Sequence, residues 1–225
     1  MIETTNRVVD YTIVQHDLGL HLTMTHARWL RGCVAHRIRR PEFHQHGGEG
    51  IIYRHPLIRY DVSRGHAEIA GLAEGALLLR SIPAFDAFEL GKDWLRVRER
   101  SVHTGRVTIG PTADLMTYVF QTPYLALDQD NFQNWEGSNE VERKRLLSRI
   151  VVGNLLSLSK AIGLHVAERL RAEVDLRPCG FQTLKPGVEL LGFLGSLRTN
   201  FQLPERWGIG KSSSRGFGTL IVQES

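Results

Sequence analysis

The sequence is poor in cysteine, poor in lysine and free of long apolar runs. Its two cysteines, Cys33 and Cys179, are not spaced as a metal site, and so low a count points to a reducing compartment. No stretch approaches ~18 uninterrupted apolar residues, so no membrane span is expected. The opening segment, MIETTNRVVDYTIVQ, lacks a basic stretch followed by an apolar run, so no signal peptide is expected and the expected location is cytoplasmic. What remains is a chain of 225 residues, 42% of them apolar, which is enough for a packed core. That length suits one large domain or two small ones.

The net charge of +4 decides little, but the kind of base says more: there are 23 arginines against 5 lysines. Arginine offers a planar fork that grips phosphate through two parallel hydrogen bonds. A GC-rich genome would raise arginine everywhere and accounts for the total equally well. Local clustering is harder to dismiss. The stretch RWLRGCVAHRIRR (28–40) carries five arginines and no acid, and it would repel itself unless it faced solvent or a polyanion.

Hydrophobic spacing outlines the elements. RVVDYTIVQ (7–15) reads as a strand, and Trp29, Leu30, Cys33, Val34 and Ile38 recur at helical spacing over 25–40 until Pro41 ends the helix. PLIRYDV and HAEIAGL flank Ser63-Arg64-Gly65 as a hairpin, EGALLLRSI (74–82) suits a short helix, and strands follow around WLRVRERSV and RVTIG. Beyond Pro111 the same order recurs. MTYVFQTPYLAL reads as a strand and DQDNFQNWEGSN as a polar loop. A long helix then runs from Asn139 to Ile162, with Leu146, Leu147, Ile150, Leu155, Leu158 and Ile162 as its apolar stripe. VELLGFLGSL, FQL and a final TLIV supply strands. Strand, helix, two strands, helix, strand is the ferredoxin-like order. The expected fold is therefore α+β, with two tandem ferredoxin-like (RRM-like) domains at 1–110 and 111–225. The tryptophans at 29, 94, 135 and 207 read as core or loop anchors.

Near the C-terminus, GIGKSSSRGFG contains Gly-Lys-Ser. A phosphate-binding P-loop needs glycine five residues before the glycine of that triplet, and position 205 is Glu; it must also open a helix, whereas a strand follows here. ATP binding is excluded on those grounds. The glycines instead let backbone N–H groups approach an anion, with Lys211 and Arg215 as cations, unless they simply form a tight turn. A second block, EFHQHGGEGIIYRHPLIRY (42–60), places His44 two residues from His46, ahead of Tyr53, His55 and Arg59. His44, His46, His55 and Glu49 are conceivable metal ligands, but nothing supplies a third ligand at a familiar distance.

Taken in order, LRGCVAH (30–36), EFHQHGG, YRHPLIRYDV, GLAEG (71–75) and RTNFQLPERWGIGKSSSRGFGTL (198–220) resemble the CRISPR repeat-RNA-processing endoribonucleases called CRISPR-associated protein six, of the RAMP superfamily, in their paired-histidine subgroup. The resemblance implies two ferredoxin-like domains and metal-independent cleavage of precursor CRISPR RNA within its repeats, with no cofactor. The implied partners are repeat RNA and other effector subunits, not membrane or DNA. The chain departs from the subgroup where His55 replaces a tyrosine and Asp61 a lysine.

Metal-free RNA cleavage needs a base for the 2′-hydroxyl, an acid for the departing 5′-oxygen, and a cation for the charged phosphorane between them. Histidine titrates near neutrality and can serve both proton roles. In an extended segment, residues two apart share a face about 6–7 Å from each other, which would set His44 and His46 over one phosphate. The expected catalytic residues are His44, His46 and Tyr53. Arg37, Arg54 or Arg59 would hold the phosphorane. The expected RNA-binding residues are Arg37, Arg39, Arg40, Arg54, Arg59, Gly208, Gly210, Lys211, Ser212, Arg215 and Gly216. Alternation along the strand puts Tyr53, His55, Leu57 and Arg59 on the face away from the core. The rival reading is a RAMP-fold subunit that holds CRISPR RNA without cutting it.

Overall fold

A computed structural model describes residues 6–44, 46–47, 50–51, 55–63 and 65–223. The chain forms two compact units. One comprises Val8–Val107 and Ser214–Gly216; the other comprises Thr108–Ser213, Phe217 and the residues after it, and residues 6–7.

The first unit opens with β1 (Arg7–Asp17), where Thr12, Val14 and His16 alternate inward. In α1 (Met24–Ile38), Ala27, Leu30 and Val34 fall on one buried stripe. Thr23 starts this helix, its backbone N–H donating to His26 Nδ1 at 3.0 Å. Arg39 ends it in the left-handed conformation at φ 53°, donating its N–H to the Ala35 carbonyl at 3.0 Å. Pro41 then opens a new turn of helix, α2 (Pro41–His44), because a first helical position has no N–H partner to lose. Two-residue strands β2 (His46–Gly47) and β3 (Gly50–Ile51) pair with each other.

The expected hairpin is β4 (Ile58–Ser63) and β5 (His66–Leu72), closed by a two-residue turn with Gly65 at φ 83°. After α3 (Glu74–Ser81), a further hairpin pairs β6 (Ala87–Leu90) with β7 (Asp93–Arg96). β8 (Glu99–Phe120) follows. Sheet order in this unit is β4-β5-β1-β8, the ferredoxin-like arrangement. Its core gathers Leu30, Val34, Phe43, Tyr60, Ile69, Phe85 and Phe88.

In the second unit, β8 continues to Phe120 and leads to α4 (Gln129–Glu136) and α5 (Glu140–Ala161). Asn139 caps α5 reciprocally with Glu142: Asn139 Oδ1 accepts from Glu142 N at 3.0 Å, and Glu142 Oε2 accepts from Asn139 N at 3.1 Å. Its buried stripe is Leu146, Leu147, Val151, Leu155 and Leu158. β9 (Ala172–Lys185) and β10 (Val188–Gln202) form a long hairpin, and β11 (Leu220–Val222) closes the unit. The order is β9-β10-β8-β11, again ferredoxin-like. Among the described residues no second crossover helix occurs here. The chain passes from β10 to β11 through the glycine-rich loop and a single turn of 3-10 helix, Ser213–Arg215.

Four expectations need correction. The polar stretch 128–139 is not a loop: Asp128 Oδ1 caps α4 by accepting from Asn131 N at 2.9 Å. The strands expected near RVTIG and MTYVF are one 22-residue strand, running through Pro111. VELLGFLGSL and FQL are likewise one strand, with a bulge between Thr199 and Phe201 where the expected gap would fall. β9 went unforeseen because most of its side chains are exposed and its ladder to β10 is backbone. Pro178 is tolerated on this edge strand.

Candidate functional site

His44 closes α2, and His46 begins β2 opposite Ile51. His44 therefore does not stand in an extended segment, and the same-face argument for the pair does not hold as framed. Tyr53 and Arg54, the other members of the block, lie outside the described residues.

The strand that follows departs further from expectation. His55 is buried, which drives its imidazole down to a pKa of about 3 and keeps it neutral. Arg59, expected as an RNA-binding cation, is only 2% exposed and pairs with Asp61, which also accepts from the Val62 N–H at 2.8 Å. Asp61 thus neutralises an interior guanidinium, and Arg59 is not presented to a phosphate. The alternation failed because both faces of β4 are covered: Ile58, Arg59, Tyr60 and Asp61 are all buried. Among the described residues no three of His, Cys, Asp and Glu gather as metal ligands.

Two arginines of the basic stretch that were not singled out one by one, Arg28 and Arg31, lie within electrostatic reach of Arg215. Burial lowers the pKa of Arg31, and the like charge of Arg215 lowers it further. For Arg215 burial again leads, followed by the charge of Arg28. Arg28 and Arg31, three apart on α1, therefore share an electrostatic neighbourhood with Arg215 of the glycine-rich loop. Gathering like charges raises the local potential toward an anion. The helical spacing of 28 and 31 was the signal in the sequence.

Further along α1, Arg37 donates from Nη1 to the Ala87 carbonyl at 2.7 Å. Its guanidinium lies 5.2 Å from the Trp94 ring centre and 5.6 Å from that of Phe85. Trp94 is no core anchor: it is 63% exposed. Trp207, by contrast, is buried. Arg39 and Arg40 project from the α1–α2 junction and are exposed.

In the glycine-rich loop, Gly210 takes φ 88°, and a Cβ there would lie 2.6 Å from the Tyr124 ring. A Cβ on Gly208 would meet the Phe217 carbonyl at 2.7 Å. Both are required by tight packing, the turn-forming alternative raised above. Lys211 donates its N–H to the Leu125 carbonyl at 2.9 Å, and its ammonium lies 3.6 Å from Asp128 Oδ2. Ser212 takes φ 57° and Gly216 φ 84°. The loop leads into β11, not a helix, as the sequence required.

Two ferredoxin-like units in tandem, the second with a glycine-rich loop in place of its last crossover helix, define a RAMP-superfamily protein. The model of the Cas6b N-terminal domain matches residues 8–108, and that of the Cas6b C-terminal domain matches residues 110–223. The chain belongs to the Cas6b family. A crystal structure of Cas6b superimposes with a TM-score of 0.89 at 28% identity, covering 96% of this chain and all of that one. A crystal structure of the CRISPR RNA processing endoribonuclease Cas6b gives a TM-score of 0.76 at 28% identity over the same coverage. An uncharacterized protein of Methanocaldococcus jannaschii is 36% identical over 115 residues, 51% of this chain and 78% of the relative.

Proposed function

We propose that this chain is an endoribonuclease that cleaves precursor CRISPR RNA within its repeats by metal-independent attack of a 2′-hydroxyl. The observation that carries the reading is the match of both Cas6b domains, in order, across nearly the whole chain. In the proposed reaction, one imidazole of the His44/His46 pair removes the 2′-hydroxyl proton. The 2′-oxygen attacks the adjacent phosphorus. The 5′-oxygen leaves with a proton from the other imidazole, and Tyr53 assists as a hydrogen-bond donor. The products are a 2′,3′-cyclic phosphate and a 5′-hydroxyl. Histidine suits both roles because one neutral and one protonated ring coexist near neutral pH. With Arg59 buried beside Asp61, the guanidinia of Arg28, Arg31 and Arg215 take over charge stabilisation along the phosphate backbone. The protein then retains its mature guide RNA, acting slowly and once per RNA, and passes it to other effector subunits.

The test is cleavage of the host's own CRISPR repeat RNA by purified protein in excess EDTA, beside a substrate with a 2′-deoxy sugar at the cut. A single EDTA-resistant cut, blocked by the deoxy sugar, is expected. Tight binding without cutting would replace the enzyme with a non-catalytic guide-holding subunit. Loss of cutting in EDTA would make the mechanism metal-dependent.

A further inference from the structure

We infer that the cleft between the end of α1 and the β6–β7 hairpin is a stacking subsite for one unpaired nucleotide of the RNA. The inference deepens the RNA-processing reading and rests on it. The cleft has a volume of about 560 Å³ and is lined by Arg37, Pro83, Phe85, Asp86, Trp94 and Arg96 among others. That size is typical of small-molecule sites. Trp94 is the most exposed of the large apolar side chains among the described residues, at 63%. Leaving so much indole in water is unfavourable unless something covers it.

The surrounding groups identify what covers it. Arg37 is clamped in place: its bond to the Ala87 carbonyl and its seat over the Phe85 and Trp94 rings fix the guanidinium against the indole. One N–H is spent on Ala87, and the rest of the fork can address a phosphate. Arg96, also exposed, brings a second cation to the same wall. Asp86 is exposed on the cleft and would repel a phosphate. It suits the other end of a nucleotide, accepting from an exocyclic amino group of a base. An aromatic face for the base, two guanidinia for the phosphates and one carboxylate for the base edge together match a single-stranded nucleotide. A duplex cannot use this cleft, because its bases are already stacked.

The experiment places 2-aminopurine at successive positions of the repeat RNA and measures its fluorescence and affinity with full-length wild-type protein, W94A, W94F and R96Q. One position is expected to be quenched by wild type and by W94F but not by W94A. Affinity should fall about tenfold in W94A, the scale of one lost base stack, with an unchanged salt slope. R96Q should weaken binding and reduce that slope by about one. Thermal unfolding of W94A checks that the hairpin is intact, and W94F and R96Q carry the test if it is not. If wild type binds and cuts the repeat, yet no position reports on Trp94 and affinities do not change, the subsite is overturned while the RNA reading stands. The cleft would then be open to a protein partner. If wild type binds no repeat RNA, both readings fall together.

Discussion

Removing the carboxylate of Asp61 should unfold this protein more readily than most changes at its surface. Asp61 and Arg59 sit two residues apart on β4, their side chains only 3% and 2% exposed. Asp61→Ala leaves an interior guanidinium without the charge that faces it. Breaking one side of a buried ion pair costs about 3–5 kcal/mol. For a chain of this length each kcal/mol moves the melting temperature by about 2–4 °C, so the expected loss is about 6–20 °C. The double substitution Arg59→Met with Asp61→Leu should recover most of that loss, because apolar groups of similar volume commonly replace buried pairs without penalty. Circular dichroism melts of the three proteins measure the effect, and repeat-RNA binding below the transition separates stability from function. The double variant is expected to bind RNA like wild type. The reasoning fails if Asp61→Ala melts within a degree of wild type. It also fails if the double variant is stable but binds RNA poorly, which would make Arg59 a nucleic-acid ligand after all.

Replacing both His44 and His46 with alanine should abolish cleavage while largely sparing RNA binding; a double variant that cuts at the normal rate on a denaturing gel removes them from the mechanism. Arg31→Gln and Arg215→Gln should each weaken repeat-RNA binding and reduce its salt slope by about one, read from affinities at several ionic strengths. Lys211→Ala should cost little RNA affinity, because its ammonium already faces Asp128, and a tenfold loss would show that this pair yields to phosphate. Burial holds the folded-state pKa of His16 near 4, with Arg100 adding to the shift, and that of His55 near 3. Both lie below the unfolded value of about 6.5, so the unfolded chain binds protons first and stability should fall as pH drops from about 6.5 toward 4. His16→Leu should reduce that fall by about one proton and raise stability by about 1–2 kcal/mol, since it takes a desolvated imidazole out of a buried position. Urea unfolding at pH 5 and pH 7 decides it.

The ferredoxin-like order was legible wherever apolar spacing matched a packed face. The stripe of α5 and the β4–β5 hairpin are examples, because burial and turn chemistry there speak in the same residues. It was illegible where backbone pairing or capping does the holding. α4 fully buries no residue and is held by its Asp128 cap and by the edges of Phe132 and Trp135 against Phe181 and Phe193, and β9 hangs from β10 by its ladder with its side chains largely in water. No period in side-chain polarity marks such elements. Pro111 makes no break in the strand. It takes a place in β8 opposite Phe201, at the stretch where a bulge in β10 shifts the register.

At the site, residue type was a better guide than periodicity. The arginine stretch pointed to an anion, and α1 does bring Arg28 and Arg31 toward Arg215. Two-residue alternation assigned Arg59 outward because it assumed that one face of β4 meets water. β4 is buried on both faces, so its charged residues had to find each other, and Asp61 is where it is for Arg59. In the sequence alone Asp61 was only a departure from the subgroup, standing where a lysine was expected. An acid that replaces a base two residues from an arginine on a strand is better read as the counter-ion of an interior charge. The outward cation is then to be sought on a neighbouring element, and here that element is α1.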